Sequence, residues 1–374
     1  MRCTHIGVVA LGLTASMPAA AQSIDLSATV EGAAGYAVNP QLRPGERGGA
    51  GFGRVSISPV LSRATALSQT VLSGSYRREQ YFSSFGRTQS ITASLGHNQA
   101  FTEHLRGNIG VNYTQADNLL LNPDIDLSQV NSLTDGRKTK SLSAQAGLSW
   151  TIGADDSVNL SGQYAHSRSG TGLLANSYNQ YSGDVSYLHA ISAWTRIGVR
   201  SSYSYFDNSA FSSTSIGPGV VIDHSFTPIW KLNGDVGIII QRSGAPVNST
   251  STSLGFHLSL CGTYPRTTMC LLAGRQTSAS AFGGQQVQTN VGASYSYKLT
   301  ELSSISASAN YGRNGGGAPN SGSSQVFRAS ANYNRTLTQR ISIGVEATGG
   351  YYKNGVTGNA RSIEGSAYAR VKIG

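Results

Sequence analysis

Charged side chains are scarce in this sequence. Asp, Glu, Lys and Arg make up 12% of the 374 residues, and 28 basic against 18 acidic residues give a formal net charge of +10. The apolar fraction of 39% argues against disorder, and the 45 glycines argue against a helical protein. No segment after the N-terminus has 18 consecutive apolar residues, so we expect no transmembrane helix.

Cysteine is nearly absent, with three in the chain. Cys3 lies in an N-terminal segment that has Arg2, an apolar stretch from Ile6 to Leu13, and the small residues Ala19–Ala21. This arrangement is typical of a signal peptide, so we predict that residues 1–21 are removed and that residues 22–374 form a single domain. Cys261 and Cys270 then remain in an oxidising compartment, where two cysteines can pair.

Alternation of apolar and polar residues runs through the rest of the chain. In the segment SVNLSGQY, Val158, Leu160 and Tyr164 take one face, while Asn159 and Gln163 take the other. Strict alternation indicates half-exposed strands. The segments are about 12 to 15 residues long, which exceeds the usual globular strand and suits one that spans a membrane. We count about 18 strands, and a count of 16 stays open.

Short turns and long polar loops alternate along the sequence. The short turns recur about every 37 residues, and the longest loop is Asp117–Arg137. Short turns at one end and long loops at the other are typical of an outer-membrane barrel, with the short turns on the periplasmic side. A soluble β-helix or a stalk would not separate its connections in this way.

The aromatic residues follow the same division. All three tryptophans lie within four residues of a short turn and are predicted to form a periplasmic girdle; they are Trp150, Trp194 and Trp230. A second set lies near the long loops, namely Tyr36, Tyr113, Tyr164, Tyr205, Tyr311 and Tyr351. Two girdles match the two interfaces of a membrane.

On these features the mature chain resembles the porin-like outer-membrane β-barrels of Gram-negative bacteria over its whole length. The resemblance implies an all-β, transmembrane, antiparallel up-and-down barrel in the outer membrane. It implies lipid and the barrel-assembly machinery as partners, leaves a homo-oligomer or polysaccharide-export partners open, and implies no nucleic acid. The chain ends Val371-Lys372-Ile373-Gly374 and not in an aromatic residue, which separates it from the general trimeric porins.

The phase of the strands predicts which charges face the lumen. Most inward positions are Ser, Thr, Asn, Gln or Gly, as suits a water-filled channel. Arg196, Arg200 and Arg328 suggest a weak preference for anions; mutual pairing of the lumenal charges is the alternative. The loop 117–137 is a candidate constriction, and we expect no row of lumenal aromatic residues. The inward charged positions are Glu31, Arg54, Asp184, Arg196, Arg200, Lys231, Asp235, Lys298, Arg328, Glu346, Glu364, Arg370 and Lys372.

The two remaining cysteines flank the turn-like sequence Tyr264-Pro265-Arg266-Thr267. If Pro265 and Arg266 are the central turn residues, Cys261 and Cys270 face each other across the hairpin as a non-hydrogen-bonded pair. The strand phase directs them into the lumen. We predict a structural disulfide, with two free thiols as the alternative, and expect no metal site because no further ligands cluster nearby.

Little in the sequence suggests catalysis or a cofactor. Asp155-Asp156 and Asp223-His224 resemble the pairs of outer-membrane aspartyl-type proteases, but both lie near periplasmic turns. His-Ser neighbours point to opposite faces of a strand and argue against a lipase-type dyad. We therefore expect no enzyme and no cofactor. The first functional hypothesis is a passive channel for small hydrophilic solutes. The alternatives are a component of exopolysaccharide export and a structural or adhesive barrel.

Overall fold

The computed structural model describes residues 23–83, 85–117, 138–170, 176–208, 212–244, 248–279, 285–315, 323–354 and 358–374. The predicted signal peptide therefore lies outside the described residues. So does the predicted constriction 117–137, except for Asp117. Among the described residues, no helix is long and apolar enough to cross a membrane.

The described residues form eighteen strands, which confirms the predicted fold class and the larger of the two strand counts. Their bounds are β1 Ser23–Val38, β2 Gly49–Ala64, β3 Ser68–Tyr81, β4 Arg87–Ala100, β5 Leu105–Ala116, β6 Thr139–Ile152, β7 Asp156–Ser169, β8 Asn176–Ser192, β9 Thr195–Asn208, β10 Ser212–Ser225, β11 Trp230–Ser243, β12 Ser249–Thr263, β13 Thr267–Ala279, β14 Gln285–Thr300, β15 Ser303–Asn314, β16 Ser324–Thr336, β17 Ile341–Asn354 and β18 Gly358–Ile373.

Each strand pairs antiparallel with its neighbours in sequence, and β1 also pairs with β18. That last ladder runs from Ala28 opposite Ile373 to Val38 opposite Ile363 and closes the sheet into an up-and-down barrel. Closure removes the sheet edges that would otherwise expose unpaired backbone groups. The first and last strands therefore meet at a seam held by backbone hydrogen bonds.

The connections divide into two sets by length, as the sequence predicts. At one end, called here the turn end, each connection has two to four residues; β12 and β13, for example, are joined by Tyr264–Arg266. At the other end, called here the loop end, β1 and β2 are joined by residues 39–48. In that loop Asn39 and Leu42 have positive φ angles. The Asn39 side chain compensates by bonding both the backbone N–H and the C=O of Arg43.

Candidate functional site

The two faces of the barrel wall differ in polarity. Apolar side chains at alternate positions of each strand are exposed on the outer face, such as Leu160, Val199 and Val220. The inner positions between them are mainly Ser, Thr, Asn, Gln and Gly, for example Ser161, Ser202 and Ser294. Exposed apolar side chains in a continuous band are costly in water and favourable in lipid. The barrel therefore encloses a polar lumen behind an apolar outer surface.

A large ion-pair network lies on the lumenal wall across the β1–β18 seam. Arg54 lies at its centre, and its guanidinium is 3.2 Å from Glu364, 3.1 Å from Glu346 and 3.5 Å from Glu31. The side chain of Arg54 is 2% exposed, so these charges are compensated by one another and not by water. The alternation of residues along the strands predicted that these four residues face the lumen. It did not predict that they form ion pairs with one another.

Three more residues complete this group, called here the Arg54 network. Arg370 Nε lies 2.5 Å from Glu31, on the turn side of Arg54. Arg77 lies 3.1 Å from Glu79, which also accepts a hydrogen bond from the Tyr81 hydroxyl. Sequence analysis missed Arg77 and Glu79, because Arg77 to Gln80 are four consecutive polar residues with no alternation to give their phase. The network thus joins β1, β2, β3, β17 and β18.

A second, smaller group lies on another part of the wall and is called here the Arg200 network. Arg200 is hydrogen-bonded to Asp184 at 2.6 Å and to Asp235, which links β8, β9 and β11. One cation thus meets two carboxylates. The predicted anion preference drew on Arg200, whereas the geometry matches the alternative reading of mutual pairing for this residue and for Arg54.

The other predicted lumenal charges lie apart from these networks. Arg196 donates a 2.5 Å hydrogen bond to the Ser157 hydroxyl. Lys231, Lys298 and Lys372 occupy inward positions toward the turn end, and none of them has a salt bridge with a described residue. Arg328 faces the lumen from β16 and is 6% exposed. Among the described residues, these three lysines therefore place positive charge without a salt bridge near the turn end.

Some aromatic side chains lie at inward positions of the wall, where they are packed and do not form an exposed row. Phe52 and Phe206 are fully buried at inward positions near the loop end. Phe52 packs against Tyr81 at 5.8 Å between ring centroids, and Tyr81 packs against Phe85 at 6.2 Å. Phe52 lies two residues before Arg54 and so shares its inward phase.

The lumenal wall is buried in a layer near the loop end. Inward residues of most strands are less than 10% exposed there, whereas Ser161, Ser294 and Lys298 nearer the turn end are exposed. A barrel of this size would leave such wall residues in water if its lumen were uniformly open. The lumen is therefore narrower at the loop end. The layer includes Phe52, Ser90, Ala116, Thr139, Phe206, Ser213, Gln241, Gln288, Asn314, Val326, Tyr352 and Ser362.

The structure joins Cys261 and Cys270 by a disulfide across the β12–β13 hairpin. The two residues are directly opposite in the ladder, and their Cα atoms are 4.1 Å apart, as in a non-hydrogen-bonded antiparallel pair. The turn is closed by a 2.7 Å hydrogen bond from Tyr264 N to Thr267 O. The disulfide therefore fixes the turn end of this hairpin.

The three tryptophans lie on the outer face at the turn end. Trp150 and Trp194 are about half exposed, and Trp230 donates a 3.1 Å hydrogen bond to the Tyr264 hydroxyl. Tryptophan has an apolar ring and a polar N–H, and a row of such side chains at one end of a barrel suits a membrane interface. Tyr164, Tyr181 and Tyr205 stack near the other end, with ring centroids 5.1 Å and 6.3 Å apart.

The protease-like pairs do not form catalytic arrangements in the structure. Asp223 faces inward whereas His224 faces outward and bonds Thr195 at 2.9 Å. Asp156 lies on the outer face and accepts hydrogen bonds from Tyr187 and His189 at the turn end. Within the described ranges, no group of three or more His, Cys, Asp or Glu side chains is placed to hold a metal ion.

Comparison with known proteins gives no match to a protein-family model and none to a curated protein. Solved structures of similar fold include the FrpB iron transporter of Neisseria meningitidis in its apoprotein form, with a TM-score of 0.48, 9% identity, and coverage of 87% of this chain and 61% of that one. The siderophore receptor PirA of Pseudomonas aeruginosa matches with a TM-score of 0.45, 10% identity, and coverage of 93% and 80%. The chain thus spans less than two thirds of that FrpB structure.

Closure, turn asymmetry and polarity agree on one class of protein. The eighteen described strands form a complete ring, the outer face is apolar, and the inner face is polar with its central charges paired. Only a closed sheet satisfies every backbone group of a strand in lipid. The chain is a β-barrel of the outer-membrane type.

Proposed function

We propose that this barrel lies in the outer membrane of a Gram-negative bacterium and lets small hydrophilic solutes diffuse passively through its lumen. The observation that carries the proposal is the polar wall, whose hydroxyl and amide side chains offer hydrogen bonds to many solutes without a specific binding pocket. The cations of the Arg54 and Arg200 networks are held by carboxylates within the wall, so these arginines do not by themselves attract anions strongly.

The buried layer near the loop end sets the expected size limit. Inward side chains of this layer have little access to water, so the narrowest part of the path lies here. A solute must shed part of its hydration shell to pass a narrow constriction. The proposal therefore predicts a channel for small solutes, with flux that falls steeply as solute size rises.

A liposome-swelling assay tests this proposal directly. The refolded chain without residues 1–21 is reconstituted in vesicles, and swelling is followed in isotonic arabinose, glucose and raffinose. We expect swelling with the pentose and less with the hexose, and none with the trisaccharide. Swelling rates equal to those of protein-free vesicles for all three sugars would contradict a solute channel.

The buried layer also favours a second candidate, a structural barrel that is closed at rest. In that case the lumenal wall near the loop end would be a packed core and not a constriction. Such a barrel would give no swelling with any sugar although it is correctly folded. Polysaccharide export is a further hypothesis, which loss of the secreted polymer in a deletion strain would test.

A further inference from the structure

The ladder between β12 and β13 stops short of the loop end. Its last pair is Phe256 opposite Arg275, although β12 continues to Ser249 and β13 continues to Ala279. On the far side of each strand the pairing goes on, to Ser249 opposite Ser243 and to Ala279 opposite Gln285. Two strand edges are therefore unpaired with each other over the same length of the wall.

The loop-end part of β13 lies on the lumenal side of the neighbouring strands. Thr277 Oγ1 is 3.2 Å from the hydroxyl of Ser215, which faces the lumen from β10, beyond both β11 and β12. Lumen-facing Ile239 of β11 is 9% exposed, and a Cβ at Gly255 would lie 2.7 Å from Ile239 and 3.6 Å from the carbonyl oxygen of Arg275. β13 thus overlaps its neighbours on the lumenal side, and the unpaired length of wall between β12 and β13 is called here the slit.

An open sheet edge is costly inside a membrane. Each backbone N–H or C=O without a partner in hydrocarbon costs several kcal/mol, and natural barrels avoid this by closure. The disulfide between Cys261 and Cys270 lies nearer the turn end than the last ladder pairs. It holds the turn-end parts of the same two strands together. The slit is therefore confined to the loop-end part of the wall.

The cavity beside these unpaired strand edges is amphipathic. The cavity has a volume of about 340 Å³ and is lined by Ile238, Ile239 and Phe256 as well as by the Arg200 network. Arg275 also lines it, and its buried Nε has no hydrogen-bond acceptor among the described residues. Apolar side chains beside a guanidinium whose Nε lacks an acceptor match a molecule that has an apolar chain and an anionic head group.

We propose that the slit between β12 and β13 is a lateral opening through which a membrane phospholipid with an anionic head group enters the barrel wall. Its acyl chain lies along the exposed outer residues Leu254 and Ile238, and its head group binds Arg275. This inference requires only the barrel and not the solute channel, so lipid entry and sugar flux can succeed or fail separately.

Photo-cross-linking to lipid tests the opening. The refolded chain is placed in phosphatidylcholine vesicles that contain phosphatidylglycerol with a diazirine on its head group, and the adducts are located by mass spectrometry. We expect adducts on the lumen-facing Ile239 and Asp235 as well as on outer-face residues, and none on lumenal Ser308. Adducts confined to the outer face would overturn the proposal.

Closing the slit provides a control on the same protein. If the backbone register continued, Ser253 would lie opposite Ser278. We expect the oxidised S253C/S278C variant to lose the lumenal adducts. The matched variant S308C/S330C replaces two lumenal serines whose hydroxyls are 2.8 Å apart. It should retain the lumenal adducts. If S253C/S278C forms its bridge as fast as S308C/S330C before lipid is added, the slit is closed and the proposal is wrong.

The role of Arg275 is tested by its own substitution. R275Q should lower the lumenal phosphatidylglycerol adducts about tenfold, as expected for the loss of one charge-assisted hydrogen bond. K298Q removes a lumenal cation away from the slit and should leave the yield unchanged. Equal adduct yields for R275Q and the parent chain would exclude Arg275 as the head-group site.

Discussion

Arg54 is the residue on which most of the lumenal charge depends. Its guanidinium is within 4.0 Å of four carboxylates, from Glu31, Glu79, Glu346 and Glu364, and its side chain is almost fully buried. Breaking a buried pair costs more than the pair contributes, because the remaining charges stay desolvated. The stability of the seam should therefore respond strongly to this one side chain.

We expect R54Q to lower the free energy of unfolding by about 3 to 5 kcal/mol. The measurement is urea unfolding of the vesicle-bound barrel, followed by tryptophan fluorescence. Adding E364Q to R54Q should recover part of the loss, since it removes one of the unpaired carboxylates. An unfolding midpoint for R54Q equal to that of the parent chain would contradict the role given to the Arg54 network.

The lysines near the turn end should set the ion preference. Lys231 and Lys298 face the lumen outside both networks, whereas Arg200 is held by two aspartates. We expect K231Q/K298Q to move the reversal potential in a KCl gradient toward zero. R200Q should favour cations, because it frees two carboxylates. Identical reversal potentials for the two variants would show that pairing in the wall does not determine selectivity.

Most features of single strands follow from local sequence. Alternation such as Val158-Asn159-Leu160-Ser161 predicts both a strand and its outward face, and the short turns lie within about a residue or two of their predicted positions. The Arg54 network could not be predicted, since Arg54 and Glu364 are 310 residues apart in sequence. The slit beside β12 is also non-local, since it depends on the path of β13: the ladder between the two strands ends at Phe256, whereas both strands continue toward the loop end.

The stability of the β12–β13 hairpin should depend strongly on its disulfide. Because its ladder ends at Phe256, fewer backbone hydrogen bonds hold this pair than hold its neighbours. We expect C261S/C270S to lower the free energy of unfolding by about 2 to 3 kcal/mol, from the chain entropy that the cross-link removes. Hydrogen exchange should rise in β12 and β13 before it rises in β16 and β17. Uniform exchange across all four strands would contradict this assignment.

The orientation of the whole wall can be tested with two adjacent residues. Leu160 faces outward and is 52% exposed, and Ser161 faces the lumen. L160R should destabilise the folded barrel in lipid by about 2 to 4 kcal/mol, because it places a charge in hydrocarbon. S161R should fold normally, since its charge meets water. If the two variants exchanged these outcomes, the lipid and lumen faces would be reversed.

At the scale of the whole molecule, the central claim is a polar path through the barrel that narrows toward the loop end. The most direct measurement is the single-channel conductance of the refolded chain without residues 1–21 in a planar bilayer. We predict steady conductance with a small bias toward anions, in line with the unpaired lysines near the turn end. Folded protein that inserts repeatedly and gives no conductance would contradict the channel and favour the closed structural barrel.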